Sequence, residues 1–268
     1  MKKKFSLIIF TDLDGSLLHR DNFKFDKIKD FIKSLLDDGI IIIPNTSKTE
    51  RETENFLKEL GSNLPFISEN GSVINGLNLL KKDLPQKLIL SRNKSELLNV
   101  FNNQVPKKLS LKCKWIYLMN KDIQSNILGL SKNNLVYALD RKFTIPFVFD
   151  GTKNEKIELN KILKIKGLTL QEGGRVINLC DNVSKAKSMQ IFLRFYKKNK
   201  KEIKTIAVGD NYNDLDMLKK SDIACLVFND QFKQDQINLE NLIISNKPSP
   251  EGWADVIKTA LVKLDYKD

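Results

Sequence analysis

The chain has 268 residues, 41% hydrophobic and 29% charged, with a formal net charge of +12 and a pI near 9.4. That balance describes a globular chain of one large or two ordinary domains and excludes a bilayer-crossing helix, because no apolar run approaches the roughly 20 residues required. The basic start Met1-Lys2-Lys3-Lys4 precedes an apolar stretch that is short for a signal peptide. Asp12 and Asp14 interrupt it before any small-residue cleavage site, which predicts a cytoplasmic protein.

The apolar run 5-FSLIIF-10 reads as a strand that ends at 11-TDLDG-15. In 25-FDKIKDFIKSLLDDG-39 the residues Phe25, Ile28, Phe31, Ile32, Leu35 and Leu36 recur at helical spacing, with Gly39 as a stop. The continuous β-branched run 40-IIIIP-44 suits a strand covered on both faces. A second helix is predicted from Lys48 to Leu60, and 64-LPFISENGSVI-74 reads as a third strand, a turn at Asn70-Gly71 and a short return strand. Strand, helix, strand, helix, strand is the rhythm of a doubly wound α/β parallel sheet.

Between about Leu80 and Cys180 that rhythm stops. The segment offers a helix at 91–103, strand-like patches at 115-WIYLM-119 and 143-FTIPFVF-149, a helix at 154–167, and two strands within 168-LTLQEGGRVINLC-180. An antiparallel α+β insert of residues 83–180 is expected, flanked by a catalytic core of 1–82 and 181–268. The core resumes with a helix at 184–198, a strand at 203-IKTIAVGD-210, a helix at 211–221, strands at 223–228 and 242–245, and a final helix at 250–264.

Cys113, Cys180 and Cys225 are widely spaced and form no C-x-x-C pair, so neither a disulfide framework nor a thiolate metal site is expected. The single histidine, His19, is read as a loop residue. The lysines are scattered, and clusters such as 197-KKNKKEIK-204 lack the interleaved aromatics that stack bases. A small anionic substrate is therefore favoured over nucleic acid or a membrane, and oligomeric state is left open.

Ligands of open parallel sheets bind at the carboxyl ends of the strands. Collected there are Asp12 and Asp14 after the first strand, Thr46, Ser47 and Lys48 after the second, and Asp210, Asn211, Asn213 and Asp214 after 203–209, with Ser184-Lys185 starting the helix after the insert. Two carboxylates one residue apart repel each other, and several on one edge match Mg²⁺, which binds a few carboxylates plus substrate phosphate and water. Thr46 and Lys185 would offer a hydrogen bond and a positive charge to phosphoryl oxygens.

The motifs 11-TDLDGS-16, Thr46, Lys185 and 209-GDNYND-214, in that order along the whole chain, resemble the haloacid dehalogenase superfamily of phosphatases. The resemblance implies Asp12 as nucleophile and Asp14 as the acid and then base. It implies Mg²⁺ held by Asp12, the main-chain carbonyl of Asp14, and Asp210, with Asp214 helping the metal shell or orienting Lys185, Asn213 assisting, and Lys185 rather than Lys187 as the active lysine. Ser16 stands where threonine is usual.

The insert's position after 69-ENGSVI-74 resembles the mixed α/β cap of the Cof-like subgroup. Within it, 46-TSKT-49, 138-ALDRKFTIPF-147 and 172-EGGR-175 resemble the mannosyl- and glucosyl-3-phosphoglycerate phosphatases. The family's cap motif Arg-Glu-Tyr-Ser-Glu-Pro-Phe here reads Arg141-Lys142-Phe143-Thr144-Ile145-Pro146-Phe147, with both acidic positions replaced. A substrate bearing both phosphate and carboxylate is implied, with Ser47, Lys48, Arg141 and Arg175 as candidate contacts and Arg51 as a solvated charge. Other readings are a phosphatase for another sugar phosphate, such as sucrose 6-phosphate, and a basic binding protein on a silent scaffold.

Overall fold

The computed structural model describes residues 5–197, 202–230, 237 and 239–266. The basic N-terminal tripeptide Lys2–Lys4 and the middle of the 197–204 lysine cluster lie outside the described residues. Strand β1 (Ser6–Thr11) shows why the opening run is apolar throughout. Leu7 and Ile9 face one buried layer, and Ile8 and Phe10 face the other. It lies inside a five-stranded parallel sheet with β2 (Ile41–Pro44), β10 (Ile203–Gly209), β11 (Ile223–Leu226) and β12 (Leu242–Ile244), in the order β12-β11-β10-β1-β2.

One layer holds α1 (Asp26–Asp37), α2 (Glu50–Leu60) and α10 (Glu251–Lys263), which bury Ile32, Leu57 and Trp253 against the sheet. The other holds α8 (Lys185–Tyr196) and α9 (Leu215–Leu218), through Met189, Phe192 and Met217. The doubly wound expectation for the core is met. Because β2 and β10 flank β1 on opposite sides, β1 ends at the point where strand order reverses, the place where such sheets open a crevice. Buried Trp253 donates its indole N–H to Thr11 Oγ1 at 2.9 Å, which in turn donates to the Asp12 carbonyl at 2.7 Å, steadying the end of the strand.

The expected third parallel strand differs. β3 (Phe66–Ser68) meets the parallel sheet only through one bridge, Asn45 to Ile67, and otherwise pairs antiparallel with β4 (Val73–Asn75). β4 pairs in turn with β5 (Lys87–Ile89), so residues 83–89, which the sequence assigns to the insert, lie with the core. This short edge strand alternates exposed and half-buried residues and has no apolar run to announce it.

The insert is built on a third sheet, antiparallel, in the order β6-β7-β9-β8: β6 (Cys113–Trp115), β7 (Thr144–Phe149), β9 (Ile177–Asp181) and β8 (Leu168–Glu172). Helices α3 (Lys94–Gln104) and α7 (Lys153–Ile165) cover one face, packing Leu97, Phe101, Leu159 and Leu163 on Ile145, Phe147 and Leu179. Three shorter helices, α4 (Lys107–Ser110), α5 (Lys121–Leu128) and α6 (Lys132–Ala138), fill the segment between α3 and β7.

Two predicted elements change form. The patch 115–119 is a strand only to Trp115. Ile116–Leu118 form a 3₁₀ turn whose first carbonyl accepts from Gln124 Nε2 at 2.9 Å, while Trp115 packs edge-on to Phe101 and Phe147. The predicted helix 211–221 divides into a 3₁₀ turn, Tyr212–Asp214, and the single turn of α9. The cause is Asp214, whose carboxylate Oδ2 accepts the backbone N–H of Asp210 at 3.1 Å and of Asn211 at 3.2 Å, a side-chain cap that competes with continuous helix.

Among the described residues no helix is long and apolar enough to cross a membrane. The three cysteines are buried and unpaired, and Nδ1 of His19 accepts the backbone N–H of Asp21 at 3.2 Å inside its loop. The insert keeps its own apolar core, of which Phe147 is a fully buried member. Phe147→Ala is expected to cost about 3–5 kcal/mol of stability, read as a lowered urea midpoint by tryptophan fluorescence. An unchanged midpoint would show that this cluster does not hold the insert together.

Candidate active site

Four chain segments reach one edge of the parallel sheet. β1 delivers Asp12 and Asp14, the loop after β2 delivers Thr46–Lys48, β10 delivers Asp210 with Asp214 just beyond, and α8 begins with Lys185. At the turn after β1, Gly15 adopts φ +83°, and a Cβ there would lie 2.5 Å from Asp210 Oδ2, so only glycine lets the chain turn against that carboxylate.

Lys185 Nζ lies 2.5 Å from Asp12 Oδ1 and 2.7 Å from Asp214 Oδ1, and all three side chains are buried. One ammonium thus serves two carboxylates. Its pKa is driven up by the carboxylates, which overcome the opposing effect of its burial. Burial pushes the Asp12 carboxyl up to about 7, with Lys185 opposing and the Asp214 and Asp14 charges adding to the rise. The Asp210 carboxyl is likewise raised, first by burial and then by Asp12 and Asp214.

Around this centre, Arg20 Nη2 sits 2.5 Å from Asp210 Oδ2, and Asn229 Nδ2 donates to Asp210 Oδ2 and to its carbonyl, each at 3.0 Å. The Ser16 hydroxyl donates to Asp210 Oδ1 at 3.3 Å and approaches Asp12 Oδ2 at 3.5 Å. Lys48 Nζ pairs with Asp14 Oδ2 at 2.9 Å and with Glu52 Oε1 at 3.5 Å. Five carboxyl groups (Asp12, Asp14, Glu52, Asp210, Asp214) therefore meet three cations (Lys185, Lys48, Arg20), an excess of acid that leaves room for a further cation.

That donor set fits a hard divalent cation. Carboxylate oxygens of Asp12, Asp210 and Asp214 lie within 4.8 Å of one another, all buried, and Asp14 Oδ1 is buried with no hydrogen-bond partner among the described residues. All are oxygen donors, as Mg²⁺ requires. Asp214 is the least suited of the three, because Lys185 takes one of its oxygens and two backbone N–H groups take the other. Its place is to orient Lys185 and the 210–211 backbone.

A cleft of about 270 Å³ opens over these residues, walled by the core on one side and the insert on the other. Asp12, Asp14, Ser47, Lys48, Arg141, Arg175, Asp210 and Asn213 all line it. Thr46 and Lys185 do not. Thr46 is fully buried behind the wall, its Oγ1 accepting the Lys48 backbone N–H at 3.1 Å, and Lys185 reaches the cleft only through Asp12.

The two arginines differ. Arg175 donates to the carbonyls of Leu128 (2.6 Å) and Arg20 (3.1 Å) and lies 5.6 Å from the Phe23 ring centre. Arg141 donates through Nη1 alone, to Ser47 O at 3.1 Å and Thr144 Oγ1 at 2.9 Å, and makes no ion pair among the described residues. Arg51 lies 3.9 Å from Asp140 and 5.0 Å from the Tyr137 ring centre. Sequence reasoning missed Arg20, Asn229 and Glu52. Asn229 follows β11 and lies at a strand end like the others, whereas Arg20 sits in a loop that no pattern marks, and Thr49-x-x-Glu52 marks Glu52 only as the partner in a helix capping box.

A family model described as haloacid dehalogenase-like hydrolase matches residues 9–236, and the chain belongs to that family. Its enzyme class is phosphoric monoester hydrolase. Over 269 residues, covering 97% of this chain and 98% of the relative, it is 29% identical to the glucosyl-3-phosphoglycerate/mannosyl-3-phosphoglycerate phosphatase of Persephonella marina. It is also 29% identical, over 88% of this chain and 96% of the relative, to the mannosyl-3-phosphoglycerate phosphatase of Pyrococcus horikoshii. Among solved structures, a subclass IIB sugar phosphatase of the superfamily superposes with a TM-score of 0.66 at 15% identity, over 97% of this chain and 99% of that one. The sucrose-phosphatase of Synechocystis gives 0.62 at 13% identity, over 97% and 98%. The last two likenesses concern the fold.

A carboxyl whose pKa is raised in the folded chain holds its proton more tightly there. Asp12 therefore contributes stability below its unfolded value, 3.8, and loses that contribution as the pH rises through about 7. A divalent cation needs the ionised form. Added divalent cation is expected to raise the melting temperature more at pH 8 than at pH 6, with proton release seen by calorimetry near pH 6.5. An equal rise at both pH values would contradict the raised carboxyls.

Proposed function

We propose that the protein is a Mg²⁺-dependent phosphatase that hydrolyses a glycosyl-3-phosphoglycerate, mannosyl or glucosyl, to the glycosylglycerate and phosphate. The observation that carries the reading is the content of the cleft. A carboxylate cluster lies at its floor, and on its wall the Arg141 guanidinium, whose charge helps lower the Glu52 carboxyl, makes no hydrogen bond or ion pair with a carboxylate among the described residues. A ligand with a phosphate ester and a second anionic group matches such a cleft, and the full-length likeness to phosphatases named for that substrate supports it.

In this reading Asp12 attacks phosphorus. With Lys185 on Oδ1, Oδ2 is its less engaged oxygen. The P–O ester bond breaks, and Asp14 protonates the departing alkoxide oxygen. An acyl phosphate then links Asp12 to the phosphoryl group. Asp14 next takes a proton from water, which attacks phosphorus and returns the Asp12 carboxylate. Lys48 holds Asp14 at the cleft wall, and Lys185 keeps Asp12 oriented between buried carboxylates. Asp12, the Asp14 carbonyl and Asp210 would hold Mg²⁺, assisted by Asn213, and the bound cation would offset charge on the phosphoryl oxygens. Thr46 acts from behind by fixing the Lys48 backbone, while Ser47, Lys48, Arg141 and Arg175 form the surface for the part of the substrate that is not transferred, with Arg141 on the carboxylate.

The test is phosphate release from a panel of glucosyl- and mannosyl-3-phosphoglycerate, sucrose 6-phosphate and hexose phosphates. A preference of about tenfold or more in kcat/KM for the glycosyl-3-phosphoglycerates is expected, a discrimination of roughly 1.4 kcal/mol. No preference would sink the substrate assignment, and no release from any member would favour a silent binding protein. Asp12→Asn should lower kcat by about three orders of magnitude or more, and full activity in that variant would refute the nucleophile.

A further inference from the structure

The turn 69-ENG-71 between β3 and β4 touches three separate parts of the site. Its backbone donates to the loop after β2, Glu69 N to Lys48 O at 2.8 Å and Asn70 N to Thr46 O at 2.9 Å. Gly71, at φ +94°, lies so close to the start of α8 that a Cβ would stand 2.4 Å from the Ser184 carbonyl oxygen. Glu69 itself reaches across to the insert.

Its carboxylate is 2% exposed and makes no ion pair among the described residues. Oε1 accepts the Lys142 backbone N–H at 2.9 Å. Oε2 accepts the Phe143 N–H at 3.0 Å and the Thr144 hydroxyl at 2.7 Å. Glu69 and Asn70 both hold left-handed backbone, φ +47° and +61°, which residues with a Cβ disfavour. The conformation persists where the turn is held by these contacts on both sides.

The Thr144 hydroxyl has one proton, and Glu69 takes it. The lone pairs left on Oγ1 therefore face Arg141 Nη1 at 2.9 Å. The second Nη1 proton goes to Ser47 O. One edge of the guanidinium is thus fixed between insert and core, and the Nε and Nη2 protons have no hydrogen-bond partner among the described residues. Those protons form the fork that binds a carboxylate in bidentate fashion.

We propose that Glu69 and Thr144 are positioning residues that hold the Arg141 guanidinium in the cleft, so that it selects phosphate esters carrying a nearby carboxylate. This inference rests on the substrate class proposed above and adds the device that sets it. Glu69 contacts no substrate. It fixes the direction of one hydroxyl, and the hydroxyl fixes the arginine.

The experiment compares kcat/KM for mannosyl- or glucosyl-3-phosphoglycerate with that for p-nitrophenyl phosphate, whose leaving group has no carboxylate. In the near-isosteric Thr144→Val the ratio should fall about tenfold, mainly through a higher KM for the carboxylate substrate, since a hydrogen bond to a charged group is lost. Thr144→Ser should restore the ratio to within about threefold of wild type. A Thr144→Val variant with an unchanged ratio, or with both substrates slowed alike, overturns the inference.

Arg141→Ala, measured alongside, separates the two levels. A lost ratio in Arg141→Ala with an intact ratio in Thr144→Val refutes the positioning device alone. An intact ratio in Arg141→Ala, or a wild-type enzyme with no preference for the carboxylate substrate, refutes the Arg141 assignment and the device together. Should Thr144→Val fail to fold, Thr144→Ala carries the test. It too removes the hydroxyl between Glu69 and Arg141, and the same fall in ratio is expected. A ratio at the wild-type value would overturn the proposal.

Discussion

The site depends on one buried ammonium. Lys185 Nζ stands between Asp12 and Asp214, and those carboxylates come from β1 and from the turn after β10. Buried carboxylates of like charge repel and lose their hydration, so the arrangement is tolerable only with a cation between them. That requirement reaches through the fold. Strands β1 and β10 must be neighbours, the turn before α8 must bring Lys185 under the sheet edge, and Gly15 must clear Asp210. The remaining negative charge, shared by Asp12, Asp14 and Asp210, is what suits the centre to a divalent cation and a phosphoryl group.

Where the insert meets this edge, the contacts are of another kind. The parallel core has an apolar layer on each face, and the insert has a separate apolar cluster of its own. Between them run hydrogen bonds: Thr49 Oγ1 to the Tyr137 carbonyl at 2.9 Å, Arg141 to Ser47 O, Arg175 to Arg20 O, and Glu69 to the start of β7. At the chain crossings, Arg92 grips Asp181 through its backbone N–H, Nε and Nη2, at 2.8–2.9 Å. Water competes well for polar contacts of this sort, whereas a shared apolar core would fuse the two parts. The cleft lies along that polar seam, and its wall therefore carries groups able to exchange a protein partner for a ligand.

Much of the core was legible because its signals are local. A both-faces-buried strand is apolar at every position, as 5-FSLIIF-10 is, and carboxylates at its end stand out. Helices with one buried face show spacing, as α1 does with Ile28, Ile32 and Leu35. The insert was less legible because its signals are cooperative. Trp115–Leu118 looks like strand by composition, yet Trp115 is used for packing on Phe101 and Phe147 and the chain turns after it. β5 is an edge strand that owes its existence to β4. Asp214 interrupts a predicted helix because its carboxylate caps the backbone N–H groups of Asp210 and Asn211, four and three residues earlier, a choice that composition does not reveal.

By itself the sequence determined the alternation of elements, the interruption of the sheet, and which carboxylates and lysine gather at one edge, since these follow from periodicity and from the rule that strand ends carry the chemistry. Tertiary structure alone decided how those residues divide the work. It set Lys185 and Thr46 behind the wall, gave Lys48 to Asp14, and turned Asp214 toward backbone and ammonium. It also joined Glu69 to Thr144, 75 positions away in the chain and 2.7 Å away in space, and through that hydroxyl to Arg141. Hydrogen bonds and ion pairs are specific to distance and direction, and only the folded chain supplies either.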